Sequence, residues 1–501
     1  MPHLQSRSKS WQNAPIKRNT PLFAPLSTWG RHALSMILAW ALSSSVLSAN
    51  LHETLPDLGA PDLHIYSSEK ESALGRAFST ALHTQYDLIQ DPTLLSYIRR
   101  IGQRILTQTP TQKKFRFYVI QNSSINAFAG PDGLIGIHTG LIQAAKTEDE
   151  LASVLAHEIA HVTQRHLSRR FEYNDQNTAA TLASLIAAIL VGAHNPNAGM
   201  ATLMGATGLN IEQQLKNSRL HENEADYFGI SYLEKSGYNP FAMGDFFGRL
   251  AQENRYNEHS VPEILRTHPV SQNRLARADD RAQQMAQKSP HNTAQSDALM
   301  LMKIRLQHQQ NQTITDYDQA QLAPAQKCYQ HNHQAWLQKK TTASDYAIGC
   351  LDQALAQKQD QPSHRLYALL KAQILTRLTP AKAGQQLSDL RDFYPQDTSI
   401  ALAKAHWLAQ TQTRQQAIDH LKAHRPQSLS PEAVDQTIAH YYAKNQQPFE
   451  SHLYLARYHL KIGYIEKARH HLRQAEKKNT DTTRKNSAKL ATLKRQLEQY
   501  D

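Results

Sequence analysis

Two histidines four residues apart, with a glutamate between them, stand at His157, Glu158 and His161 in the segment HEIAH. Around them Leu151, Val154, Leu155, Ile159 and Val162 recur at spacings of three and four, the period of a helix with a buried face. On such a helix the two imidazoles project from one face, one turn apart, and can grip a single ion. Glu158 lies about 100° further round, where it can touch a water on that ion without being a ligand. These are the parts of a zinc hydrolase. The ion acidifies a water, Glu158 takes its proton, and the hydroxide attacks a carbonyl polarised by the same ion.

With 26 histidines in 501 residues, an HExxH match arises by chance at a rate on the order of 5%, so a further ligand is needed. A catalytic zinc takes three protein ligands and keeps one position open. His166, placed about 180° from the metal face if the helix continues, reads as a solvated surface residue. The segment 218–240, SRLHENEADYFGISYLEKSGYNP, serves better. Leu220, Ala225, Phe228, Ile230 and Tyr232 give it a helical apolar pattern that Gly237 and Pro240 end. Glu222 and Asp226 share a face. Glu222 can be the third ligand and Asp226 can fix the tautomer of a ligating imidazole, while Glu224 and His221 remain rival ligands.

HEIAH followed by SRLHENEAD at 218–226 resembles the gluzincin metalloproteases related to the CAAX prenyl protease and HtpX. The resemblance implies one Zn2+ per subunit, with Glu222 as the third ligand. It also implies a substrate-aligning edge strand at 134–139, containing Leu134, Ile135, Gly136, Ile137 and His138. The unpaired backbone groups of such a strand hold an extended peptide. The segment 266–282, RTHPVSQNRLARADDRA, resembles that of periplasmic family members with a C-terminal repeat domain. There a histidine, here His268, can fill the zinc's open position and hold the enzyme latent.

Residues 1–32 carry Arg7, Lys9, Lys17, Arg18 and Arg31 and no acid. An apolar run at 33–42 and small residues at Ser48 and Ala49 then read as a signal peptide with a long basic leader, cleaved near Ala49. A later translation start and a retained anchor are the alternatives. Removing the five basic residues takes the net charge from +12 to +7. That excess suits peripheral contact with acidic lipid head groups, and no basic stripe or motif supports nucleic-acid binding.

Helices are expected at 72–85 and 94–108, followed by a strand at 115–121 and a turn at 126–133. The apolar stretch 178–193 falls short of the roughly twenty residues a membrane span needs. With the glycine-containing segment after it, it reads as a mobile cover over the cleft, with a core helix as the alternative.

Residues 288–295 read as a polar linker. Beyond it Ala383 and Leu387 are followed 34 residues later by Ala417 and Leu421, the period of tetratricopeptide repeats. Ala405 falls at a first-helix small position. Ala456, Gly463, Ala468, Leu472 and Ala475 form a second copy of the pattern, and Ala335, Ala347, Leu351 and Ala354 a weaker one. Some four repeats are expected, stacked as a solenoid with a partner-binding concave face. In that register Cys328 and Cys350 are offset by roughly 10 Å along the helix axis, so they are expected as buried small hydrophobes and not as a disulfide.

The fold expected is therefore mainly α with a small β-sheet (α+β). It comprises a signal peptide (1–49), a gluzincin-type protease domain (50–287), the linker (288–295) and an α-helical repeat solenoid (296–501). The resemblance implies a periplasmic enzyme of a Gram-negative bacterium. Its partners would be unfolded or stalled outer-membrane proteins, and through the repeats the machinery that assembles outer-membrane barrels. The alternative is a repeat-based chaperone or scaffold whose latent protease domain rarely cuts. An integral-membrane prenyl protease would need several long apolar spans, and only two short runs exist.

Overall fold

The computed structural model describes residues 68–172, 211–256, 261–286, 296–310, 312, 316–338, 345–357, 360–480, 484–498 and 500. The expected leader (1–49), cover helix (178–193) and linker (288–295) lie outside the described residues. The architecture is mainly α with one three-stranded sheet.

Helix α1 (Ser68–Gln85) and helix α2 (Pro92–Leu106) open it. In α2 the Asp91 side chain accepts from the N–H groups of Thr93 and Leu94, and Pro92 stands where no N–H is needed. Leu94, Ile98, Ile101 and Ile105 bury one face of it.

Strand β1 (Arg116–Ile120) follows, then β2 (Ala127–Gly130), a turn, and β3 (Leu134–His138). The strand order is β1-β3-β2, with β1 parallel and β2 antiparallel to β3. The expected edge strand is thus the central one, and all five of its residues are buried. The turn at Pro131–Gly133, with Asp132 and Gly133 at positive φ, folds β2 back along β3 as a hairpin, so β2 takes the edge. The alanine-rich AFAG of β2 is short and weakly β-forming, which is why its pairing is invisible in composition.

After the short helix α3 (Thr139–Ala144) comes the motif helix α4 (Glu148–Thr163). Thr147 caps it by accepting from the Glu150 N–H, and Glu148, Asp149 and Glu150 complement the positive end of its dipole. It packs against β2, α2, helix α6 (Ile211–Lys235) and helix α7 (Ala242–Tyr256), so it is buried on nearly every side and not on one face. It stops where Arg165 turns left-handed at φ 57°, and α5 (His166–Glu172) leaves in a new direction. Helices α6 (Ile211–Lys235), α7 (Ala242–Tyr256), α8 (Glu263–Thr267) and α9 (Gln272–Ala286) complete this part.

Twelve further described helices run from α10 (Ala298–Gln309) to α21 (Arg484–Glu498). Ala383, Leu387, Ala417 and Leu421, the 34-residue pair, are fully buried, as are Ala405, Ala456 and Ala468. One apolar cluster runs without a break from Ile89 through the motif helix to Ile374. The helical region also closes back on the first helices. Ser79 Oγ donates to the Ile462 carbonyl (2.9 Å), and Arg99 pairs with Glu432.

Cys328 and Cys350 form a disulfide with their Cα atoms 6.0 Å apart, against expectation. Cys328 lies in α12 (Pro324–Leu337) and Cys350 in α13 (Asp345–Gln357). The expected offset placed Cys328 at the start of its helix, whereas it is the fifth residue of α12, one turn further in.

Candidate metal centre

Helices α4 and α6 pack closely enough that a Cβ at Gly229 would meet the Ala156 carbonyl oxygen and the His157 Cα, each at 3.3 Å. This contact sets the carboxylates of α6 opposite the histidines of α4. Nε2 of His157 lies 3.0 Å from Nε2 of His161 and 3.4 Å from Oε2 of Glu222, and His161 Nε2 lies 3.6 Å from Glu222 Oε1. His268, which follows α8, brings Nδ1 to 3.0 Å from Glu222 Oε2 and 3.2 Å from His157 Nε2. The four donor atoms lie within 4.8 Å of one another.

Two nitrogens and a carboxylate oxygen bound tetrahedrally at zinc distances of about 2.0–2.1 Å would lie roughly 3.3–3.4 Å apart. The observed separations bracket that value, and three imidazoles with one carboxylate are a donor set suited to zinc. Glu158 adds a second indication. It is 1% exposed, and neither carboxylate oxygen has a hydrogen-bond donor among the described residues, its nearest basic group being His268 Nε2 at 3.4 Å. A buried carboxylate left so is costly unless something polar meets it, and it faces the donor cluster.

Behind His157, Nδ1 stands 3.0 Å from Asp226 Oδ1. Arg274 grips Asp226 with two bonds (2.5 and 2.8 Å) and reaches Glu222 Oε2 at 3.0 Å. Arg274 belongs to the segment singled out around His268, but no sequence signal gave it this task, because its partner is 48 residues away.

His166 corrects the sequence reading. It is buried (5% exposed), with Nδ1 2.8 Å from His161 Nδ1 and Nε2 3.1 Å from Glu224 Oε2. The expected position on the far face supposed that α4 continues, and the break at Arg165 swings His166 back under His161. Glu224 is occupied by His166 and Arg169, and His221 stacks on His166 with centroids 4.4 Å apart. Glu222 stands in the donor cluster, and neither of its rivals Glu224 and His221 does.

The electrostatics follow from burial and these contacts. Burial pulls His157 down, but hydrogen bonds to Asp226 and Glu222 outweigh it and lift its pKa to about 9. Burial holds His161 well below its usual value. Burial would raise Glu222, yet the charges of His268 and His161 hold it well below the carboxylate range. Burial raises Asp226 too, and Arg274 more than compensates. His166 is pushed down to about 4 by burial and by His221, so it is neutral at pH 7.

The short helix carrying His268 is fastened beside the edge strand. The Ile264 N–H donates to the Ile125 carbonyl (3.0 Å), and Glu263 accepts from Ser124 Oγ (2.6 Å) and Asn126 Nδ2 (2.8 Å).

Residues 92–282 match the model of Peptidase family M48. The chain is 36% identical over 276 residues to a beta-barrel assembly-enhancing protease of Yersinia pestis, covering 54% of this chain and 56% of that one. It is 38% identical over 238 residues to the protein of that name from Escherichia coli (strain K12), covering 47% and 49%. It is 29% identical over 191 residues to the mitochondrial metalloendopeptidase OMA1 of Schizosaccharomyces pombe, covering 38% and 53%. The chain spans about half the length of the curated relatives it matches.

Proposed function

We propose that this chain, which carries a Peptidase family M48 match over residues 92–282, is a zinc-dependent metalloendopeptidase acting on outer-membrane β-barrel proteins in the periplasm. The observation that carries the reading is the convergence of His157, His161 and Glu222 donors beside a buried Glu158 that lacks a hydrogen-bond donor among the described residues. His157, His161 and Glu222 would hold the ion, with His268 as a fourth donor. When bound, zinc supplies a Lewis acid for the peptide carbonyl and for an attacking water. Glu158 accepts the proton of that water and passes it to the departing amine. Asp226 keeps the proton of His157 on Nδ1 and its lone pair on Nε2. Strand β2, at the sheet edge against α4, offers backbone groups to an extended peptide.

The protease domain would occupy 50–287, after a signal peptide ending near 49, and the helices from 296 onward would form a tetratricopeptide-like solenoid with a chaperone role. The bacterial relatives carry the name beta-barrel assembly-enhancing protease, which supports a proteolytic role in β-barrel assembly; misfolded or stalled barrel proteins would be the substrates and the barrel assembly machinery a partner of the solenoid. No helix among the described residues is long and apolar enough to cross a membrane.

One observation favours the second reading, a chaperone or scaffold with a dormant site. His268 stands with His157, His161 and Glu222 in one cluster of donors, and four protein donors would fill the positions of a zinc ion and leave none for water. The test is cleavage of an unfolded model protein by the parent, Glu158→Gln and His268→Ala, with zinc assayed on each. Low activity in the parent, none in Glu158→Gln and a rise in His268→Ala with zinc retained is the result expected of a latent peptidase. Equal inertness of all three with zinc bound would replace that reading with the scaffold.

A further inference from the structure

His161 is held from behind by groups that do not face the donor cluster. Its Nδ1 lies 2.8 Å from His166 Nδ1, His166 Nε2 lies 3.1 Å from Glu224 Oε2, and Arg169 Nη2 lies 2.5 Å from the same oxygen. The ring of His221 stacks on His166 at an interplanar angle of 11°, which fixes the plane of the middle imidazole. The left-handed turn at Arg165 is what delivers His166 to this place.

A neutral imidazole carries one N–H and one lone pair, so the chain of contacts restricts where the protons sit. Two Nδ1 atoms facing each other at 2.8 Å need one donor and one acceptor. If His166 donated, its Nε2 lone pair would face the Glu224 carboxylate, an acceptor opposed to an acceptor. If His161 donates, the His166 proton sits on Nε2 and Glu224 accepts it. Only this second arrangement satisfies all three contacts, and it leaves the lone pair of His161 on Nε2, the atom that faces His157 and Glu222.

We infer that His166 and Glu224 are positioning residues that lock His161 in its ligating tautomer and ring orientation, with Arg169 anchoring the carboxylate. The two ligating histidines would then be served alike. His157 has a carboxylate directly behind it, Asp226, pinned by Arg274. His161 has a carboxylate one imidazole removed, Glu224, pinned by Arg169. The inference rests on the metal-site reading above, and a merely structural role for His166 would stabilise the fold without touching the ion.

The test is zinc affinity of the full chain, by competition with a chromophoric chelator, together with the visible spectrum of the cobalt-substituted protein and the unfolding temperature of the metal-free form. His166→Ala is expected to raise the zinc dissociation constant about 10–100-fold and to alter the cobalt spectrum. His166→Gln should recover most of the affinity, since a glutamine amide can accept from His161 Nδ1 and donate to Glu224 as the imidazole does. Zinc binding by His166→Ala as tight as the parent's, or no recovery in His166→Gln, would overturn the inference. Should His166→Ala fail to fold, Glu224→Ala carries the test, because that side chain is 31% exposed and its loss removes the acceptor for His166 Nε2–H. It must weaken zinc binding, and undiminished affinity would count against the relay. A parent that binds zinc but cleaves nothing would remove the peptidase reading and leave the relay to be judged on affinity alone.

Discussion

Replacing Arg274 with alanine should weaken both the fold around the site and its hold on the ion. Arg274 is 6% exposed and makes two bonds to Asp226, one contact to Glu222 and one bond to the Pro269 carbonyl. Its removal leaves two buried carboxylates facing each other's surroundings with one cation fewer and no solvent to compensate. Breaking a buried ion pair by deleting one partner costs about 3–5 kcal/mol. For a cooperative unit of 150–250 residues each kcal/mol lowers Tm by about 2–4 °C, so a fall of roughly 10 °C is expected in the metal-free protein. Asp226 also orients His157, so zinc affinity should drop about 10–100-fold. Calorimetry and chelator competition on the same preparation read both effects. Arg274→Lys, which keeps the charge but not the two-point grip, should fall between parent and Arg274→Ala. Unfolding of Arg274→Ala at the parent's temperature, with unchanged zinc affinity, would refute the assignment of Arg274 as the anchor of this site.

Glu263→Gln should raise cleavage of an unfolded protein, because two charge-assisted hydrogen bonds fasten the His268 segment to Ser124 and Asn126. Weakening them by about 1.4 kcal/mol shifts the segment's equilibrium tenfold, and unchanged activity beside an activated His268→Ala would contradict the fastening role. Reduction of Cys328–Cys350, which closes a loop of sequence separation 22, should cost about 3 kcal/mol in the unfolding of the helical region, readable as a Tm difference with and without reductant. Asp397, tied to the fully buried Arg365, is raised by burial, but Arg365 and the bonds from Ser399 and the Ile400 N–H outweigh this, so it titrates below 3.8. Its stabilising contribution is full above 3.8 and is lost as pH falls through the lowered folded value. Asp397→Asn should therefore flatten the acid limb of stability followed by circular dichroism, and an unaltered acid limb would exclude the pair from acid unfolding.

The parts of the site legible in the sequence are those set by spacing along one helix. His157 with His161, and Glu222 with Asp226, are each four apart, and the helical period alone places each pair on one face. The parts that were not legible depend on where an element ends or on what lies beside it. The helical period misplaces His166 because nothing in VTQRHL marks the left-handed Arg165, where a non-glycine residue adopts a conformation its neighbours impose. The strand at 134–138 reads correctly as a strand, yet whether it is central or at the edge is decided by the four-residue AFAG hairpin partner. Arg274 could be listed as a charge but not assigned, since its carboxylate arrives from another helix. The disulfide turns on the register between two helices, and side-chain periodicity does not mark that α12 already begins at Pro324.

A single short segment bears on both halves of the proposed chemistry. Residues 262–268 bring His268 to the donor cluster and, through Ile264 and Glu263, bond to residues 124–126 at the start of the edge strand. An incoming peptide that pairs with β2 needs that end of the strand, and an attacking water needs the position His268 holds. The two requirements therefore fall on one movement and not on two. A substrate segment able to compete for the backbone and side chains of 124–126 would displace the helix and withdraw the fourth donor together. Unfolded chains offer far more such extended backbone than folded proteins do, so contacts that would keep the site dormant would also select what opens it.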